Sequence, residues 1–333
     1  MKKHIAILLS LTLSLTALLS GCGQAGGNSA STADSADADS SDGGQTYKIG
    51  VTMSSRDQFL STLEKGILDA AAAAGDFEIE TFDANNDVQK QYEHINTFTS
   101  KQFDAIVVNL VDTNTGAEVL KMVGDIPVIF VDRRPAEELL VENKTCYVGA
   151  EEYKAGQFQG EFLSEFFKDK SDKTIRYVMF KGTLGLENTE NRTRGALETL
   201  EKSGFTLEQV FEDTANFDRS MALDKMNTLL GTGKEFDCVI ANNDEMALGA
   251  LEAMKLVGKD LKAIPVVGID CTDVAAAAIK AGEMACSIYQ NPAEVGAACF
   301  AQALDVVTTG KMSVFKDVPF QPVTIDTIDT VRG

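Results

Sequence analysis

Several short apolar, β-branched runs in this chain end in acidic, amide or guanidinium side chains. Met53 leads to Asp57, Phe130-Val131 to Asp132-Arg133, Ile240-Ala241 to Asn242-Asn243-Asp244, Ile269 to Asp270, and Tyr289 to Gln290-Asn291. Such groups suit the hydrogen bonding of a polar ligand. Of the two histidines, His4 lies in the opening segment and His94 in a stretch with helical spacing, where a solvated or half-buried structural role is expected. A Ser-His-Asp triad would have to run through His94, and neither GxSxG nor HExxH occurs. Gly21 to Gly26 matches GxGxxG but follows no strand and opens no helix. Gly231-Thr232-Gly233-Lys234 has a Walker-like look, but Glu235 replaces the required hydroxyl and Thr228 the first glycine. Asp83, Asn85 and Asp87 echo a calcium loop, yet Val88 stands where the turn needs glycine, so no metal ligands are assigned.

For the polar groups to converge, the ends of the apolar runs must lie side by side. From Tyr47 onward short β-branched runs alternate with helical stretches, the pattern of parallel βαβ units. The spacing predicts strands over Lys48–Met53, Phe77–Asp83, Ala105–Asn109 and Pro127–Asp132, with helices over Phe59–Ala74 and Val88–Ser100, giving a four-strand first sheet. A second series starts near Tyr147. Its helices are expected over Lys154–Phe167, Thr189–Ser203, Ser220–Leu230, Glu245–Lys255, Val274–Ala281 and Ala293–Thr309. Its strands are expected over Ile175–Lys181, Leu207–Glu212, Cys238–Ala241, Pro265–Ile269 and Ala285–Tyr289, followed by an extended tail after Lys316. Two doubly wound α/β lobes fit this count, and in open parallel sheets ligands bind beyond the carboxyl ends of the strands.

The opening residues address the compartment. Lys2 and Lys3 precede the apolar stretch Ile5–Leu19, short for a membrane span and suited to an export signal. Leu19-Ser20-Gly21-Cys22 resembles the bacterial lipobox, which implies acylation of Cys22 and a lipid anchor on the outer side of the cell membrane; the alternative is an ordinary secretory signal with a chance cysteine. Gly23 to Thr46 holds no aromatic and no large aliphatic residue, so it cannot fold alone and reads as a tether reaching about 25–30 Å. The remainder is long enough for one large or two medium domains. A formal net charge of −20 argues against nucleic acid as a partner. Beyond Cys22 the cysteines are Cys146, Cys238, Cys271, Cys286 and Cys299, an odd set among apolar neighbours with no CxxC. They read as small buried hydrophobes in preference to a disulfide framework.

The segment Asn242-Asn243-Asp244-Glu245-Met246-Ala247-Leu248-Gly249-Ala250 resembles the hallmark of periplasmic sugar-binding proteins of the ribose and galactose/glucose type. Lys48-Ile49-Gly50-Val51, Val131-Asp132-Arg133, Tyr147-Val148-Gly149, Lys181-Gly182 with Arg192, Thr214 to Asp218, and Val267 to Asp270 follow in the family's order, so the likeness spans Tyr47 to about Val323. It implies a type I periplasmic binding protein: two Rossmann-like lobes joined by a hinge of three crossings, closing on one monosaccharide. The division implied is 1–22 signal, 23–46 tether, 47–149 with 291–322 as the N-terminal lobe, and 150–290 with 323–333 as the C-terminal lobe. It further implies a monomer without cofactor or catalysis that hands its sugar to the permease of an ABC importer.

By the same resemblance the ligand set is Asp57, Phe59, Asp132, Arg133, Arg192, Phe217, Asn243, Asp270 and Gln290, with Phe59 and Phe217 sandwiching the ring and the others sharing its hydroxyls. Each has a plainer alternative. Asn243 and Asp244 fit helix caps, Arg192 could pair with Glu187 or Glu190 on the surface, and the two phenylalanines could be core aromatics. Asp132 and Asp270 directly follow buried strands and need partners. The wording is closest to the galactose/glucose type, which is expected first, with ribose or another pentose next. Leu186, Asn188 and Phe217 stand where that type has histidine, aspartate and tryptophan, while Asp132-Arg133, Phe217 and Gln290 look like the ribose type. The family's calcium loop, near Lys168–Lys173, is shortened, and no calcium is carried over. Three rivals stay open: a sugar sensor serving a membrane kinase or chemoreceptor, a transcription regulator of the same fold, whose DNA-reading segment would have to replace the signal, and an exported enzyme on a doubly wound fold.

Overall fold

Runs such as Ala-Ile-Val-Val and Val-Ile-Phe-Val are buried at every residue because helices cover both faces of the strands they form. The protein, as a computed structural model, is described over residues 46–75 and 77–332; the expected signal, Cys22 and nearly all of the tether lie outside the described residues. The chain begins β1 (Tyr47–Met53), α1 (Gln58–Ala74), β2 (Phe77–Asp83), α2 (Val88–Ser100), β3 (Ala105–Val108), α3 (Gly116–Val123), β4 (Val128–Val131) and β5 (Thr145–Gly149). It continues α4 (Glu152–Phe166), β6 (Thr174–Lys181), α5 (Glu187–Lys202), β7 (Thr206–Thr214), α6 (Arg219–Gly231), β8 (Cys238–Ala241), α7 (Asp244–Leu256), β9 (Val266–Asp270), α8 (Asp273–Lys280) and β10 (Cys286–Tyr289). It ends α9 (Pro292–Thr309), β11 (Phe315–Asp317), β12 (Gln321–Val323) and α10 (Ile328–Val331).

The strands form two six-stranded sheets, ordered β11-β5-β4-β3-β1-β2 and β12-β10-β9-β8-β6-β7. All pairs are parallel except β12, which runs antiparallel to β10. In the first lobe α1 and α9 pack on one face through Leu63, Ile67, Val295 and Phe300, and α2 and α3 on the other through Ile95, Phe98 and Val119. In the second, α4 and α5 bring Leu163 and Leu200 to one face, and α6, α7 and α8 bring Met226, Leu251 and Ile279 to the other.

The first sheet has six strands, not the four expected. β5 and the three-residue β11 extend it: Thr-Cys-Tyr-Val-Gly has strand-favouring residues but is short and stands at the start of the second series, and Phe-Lys-Asp has no β-branched residue. The short α3 was likewise not anticipated. Helices α4 to α8 begin one or two residues earlier than expected, α4 at Glu152 in place of Lys154. The chain passes between lobes after β5, after β10 and between β11 and β12, so the third crossing falls between Asp317 and Gln321, ahead of residue 322.

Turns leaving the strands share one device. Asp57, Asp87, Asp218, Asn243, Thr272 and Asn291 each cap the following helix, the side chain accepting a first-turn N–H. Elsewhere, His94 is half-buried, stacked on Phe82 at 4.8 Å with Nδ1 3.1 Å from the Thr52 hydroxyl. Asp83 accepts the N–H of Asn85 at 2.7 Å and Asp87 caps α2. All five described cysteines are buried free thiols.

Candidate ligand-binding site

The carboxyl ends of both sheets face each other across a gap of about 340 Å³, part of it open to solvent. From the first lobe Asp57, Phe59, Asp132 and Arg133 line it; from the second come Arg192, Phe217, Asn243 and Asp270. Leu60 and Asn188 complete the wall. Eight of the nine side chains expected from the sequence therefore meet in one place. The ninth, Gln290, is buried in the hinge, where Nε2 donates to the Val318 carbonyl at 2.9 Å and ties the second crossing to the third. A wider opening of about 1220 Å³, flanked by Arg56 and Asn86 on one side and Thr183 and Asp218 on the other, shares Asp57, Arg133 and Phe217 with the gap and connects it to solvent.

The first-lobe wall is stitched by Asn109, which is fully buried just beyond β3. Its Oδ1 accepts from the Ser54 amide at 3.1 Å and hydroxyl at 2.5 Å, while Nδ2 donates to the Val131 carbonyl at 3.0 Å and Asp132 Oδ2 at 3.1 Å. Arg133 Nη1 donates to the carbonyls of Leu110 and Val111 at 2.9 and 3.0 Å. That leaves the rest of the guanidinium for the gap, and burial holds its pKa below the ordinary arginine value. Asp57 Oδ1 accepts the Leu60 N–H at 2.8 Å. Burial, with Asp132 nearby, nonetheless pushes its carboxyl up.

On the other wall Arg192 pairs with neither Glu187 nor Glu190. Its Nε donates to Glu152 Oε2 at 2.6 Å and Nη1 to the Asn242 carbonyl at 2.9 Å, all in the interior. Burial works against its charge, but Glu152 and Asp270 outweigh it and raise the guanidinium further. Asn243 both caps α7, accepting the Met246 N–H at 3.0 Å, and lines the gap. Asp270 is 7% exposed, and its carboxylate accepts no hydrogen bond among the described residues. Burial raises its pKa well above the carboxylate range, Arg192 opposing and Asp244, Asp57 and Asp132 adding to the rise.

Three lining residues hold left-handed backbone: Asp132 at φ 61°, Phe217 at φ 62° and Asp270 at φ 110°. Such conformations cost roughly 1–3 kcal/mol each and cluster at functional sites. Phe217 lies against Gly182, where a Cβ would come within 2.0 Å of its ring. Glycine there lets the ring settle on the β6–α5 turn and face the gap.

Sequence reasoning missed Asn188 as a wall residue, and with it Glu152 and Asn109, which brace the wall from behind; Asn242, one of the polar strand ends, braces it as well. Asn188 was noted only as a departure from a family pattern. Glu152 would stand out with α4 starting there, since the first turn of a helix favours an acid.

Comparison with known proteins agrees with this architecture. Residues 49–312 match a family model described as a periplasmic binding protein domain. A putative rhizopine-binding protein of Rhizobium meliloti is 33% identical over 280 residues, 83% of this chain and 89% of that protein. A D-galactose/methyl-galactoside binding periplasmic protein of Haemophilus influenzae is 32% identical over 263 residues, 75% and 78% respectively. The crystal structure of an ABC transporter solute-binding protein from Bacillus halodurans C-125 with bound myo-inositol superposes with a TM-score of 0.80 at 33% identity, covering 86% of this chain and 97% of that one. The chain therefore belongs to the periplasmic binding protein type I family, as an extracytoplasmic, non-enzymatic sugar- or polyol-binding protein of ABC transport.

Proposed function

We propose that the gap between the lobes takes one six-membered-ring polyol, hydroxylated around its whole perimeter, and that the filled protein presents it to an ABC permease. A cyclitol such as myo-inositol is the first reading, and a galactose- or glucose-type pyranose the second. The observation that carries it is the set of polar side chains on one gap: the carboxyl groups of Asp57, Asp132 and Asp270, guanidinium groups that only donate, and the amides of Asn188 and Asn243, which do both, line it together with one phenylalanine ring from each lobe. A ring polyol offers C–H faces to the aromatics and hydroxyls in every direction of its plane. Apart from Leu60 and the two rings, no apolar side chain lines the wall to receive a deoxy or alkyl position.

The myo-inositol bound by the Bacillus halodurans protein favours the cyclitol, and the galactoside-binding relative, together with an acid at Asp57, supports the hexose. Specificity comes from the unpaired polar groups that a wrong epimer leaves behind. We further propose that Cys22 carries the lipid anchor, that 23–46 is the tether, and that the lobes are 47–149 with 291–322 and 150–290 with 323–333, apart from the few residues by which the third crossing comes earlier. Calorimetric titration with myo-inositol, D-galactose, D-glucose and D-ribose tests the ligand reading. Binding of one of the first three at least tenfold more tightly than ribose is expected; tightest binding of ribose, or of none, overturns it.

A further inference from the structure

The turn from β9 to α8 carries Asp270 into the gap on backbone that L-residues avoid, Asp270 at φ 110° followed by Cys271 at φ 51°. Two such residues in succession persist only where neighbours hold them. The holder is Asp244, the first residue of α7 and fully buried. Its Oδ2 accepts the Thr272 N–H at 2.8 Å, and its Oδ1 accepts the Ser287 hydroxyl at 2.6 Å. The same hydroxyl accepts the Cys271 N–H at 2.9 Å. One carboxylate thereby captures both N–H groups that follow Asp270, one directly and one through Ser287. β9 leaves room for it, since a Cβ on Gly268 would lie 2.4 Å from Asp244 Oδ1.

The Asp270 side chain has no hydrogen bond among the described residues, so the direction of its carboxylate is set by the backbone beneath it. We propose that Asp244 is a positioning residue: through Thr272 and Ser287 it fixes the strained turn so that Asp270 aims at the ligand's hydroxyls. Because Asn243 precedes it, the same anchor registers two wall side chains, one at the end of β8 and one at the end of β9. This rests on reading the gap as a ring-polyol site.

The test is a mutant cycle, titrating with the tightest binder among myo-inositol, D-galactose, D-glucose and D-ribose. Asp244→Ala and Ser287→Ala are each expected to weaken binding at least tenfold in the native background and less than twofold when Asp270→Asn is already present. Asp244→Asn, which can still accept from Thr272 and donate to Ser287 Oγ, should stay within threefold of the native protein. Thermal unfolding should shift equally in both backgrounds, separating positioning from bulk stability. Should Asp244→Ala fail to fold, Ser287→Ala carries the comparison. Equal losses in both backgrounds, or unchanged affinity on removing the Ser287 hydroxyl, overturn the proposal while leaving the polyol reading intact. Unchanged affinity in Asp270→Asn alone, or no binding by any of the four probes, overturns both.

Discussion

Asp270 and Arg192 face the same gap yet differ in what they do for the fold. Asp270 is a buried carboxylate without a hydrogen bond, so in the ligand-free protein it costs stability. Asp270→Ala is expected to lower ligand affinity at least tenfold, about 1.4 kcal/mol, while leaving the ligand-free melting temperature unchanged or higher. Arg192 is bonded to Glu152 and the Asn242 carbonyl. Arg192→Ala should cut affinity by at least the same factor and also destabilise the protein by about 3–5 kcal/mol, because Glu152 is left buried and unpaired. Titration beside thermal unfolding separates the two signatures; equal stability losses would refute the distinction. The raised Asp57 and Asp270 carboxyls add a pH dependence. Ligand hydroxyls donate to the ionised forms, so binding releases protons and affinity rises with pH until both carboxyls are ionised. Affinity at pH 8 above that at pH 5 is expected, with a flatter profile in Asp270→Asn.

At the scale of elements, the turns that end in helix caps are also the turns that build the wall. Asp87 caps α2 without lining the gap, so Asp87→Ala should cost about 1 kcal/mol of stability and leave ligand affinity within twofold. Asn243 caps α7 and lines the gap, and Asn243→Ala should lose both. This double use explains how much of the site was legible in sequence. An apolar run followed by Asp or Asn signals a strand end, and at Asn243 a helix start as well, which brings Asp132, Asn243 and Asp270 into view from sequence. What was not legible depends on non-local packing. Strand β5 and the edge strand β11 beyond it are recruited by their neighbours. The left-handed backbone at Asp132, Phe217 and Asp270 leaves no mark where the residue is not glycine. Gln290 follows its strand as the family order implies, but its side chain turns to the Val318 carbonyl because the third crossing passes there.

Across the whole molecule, every ion pair among the described residues lies within one lobe, so the contents of the gap and the hinge hold the lobes together. Burial pushes the carboxyls of Glu152 and Asp244 up to about 7, and those of Asp57 and Asp270 upward as well. A raised carboxyl contributes stability that is full below its unfolded pKa and lost as pH climbs through the folded one. The ligand-free protein should therefore melt higher at pH 5 than at pH 8, and ligand should raise the melting point more at pH 8; the reverse order in a thermal-shift series would contradict this. The proposed anchor at Cys22 is tested by Cys22→Ser: native protein in the membrane fraction and variant in the soluble fraction is the expected outcome of fractionation and blotting. The five buried thiols have a consequence of another kind. Sealed in the core, with Cys146 pushed up to about 11 and Cys271 to about 12, they are inert while the chain stays folded. Once unfolded in an oxidising compartment they form an odd set free to mispair, so recovery from denaturant should depend on added reductant, and the protein's lifetime outside the cell on how rarely it opens.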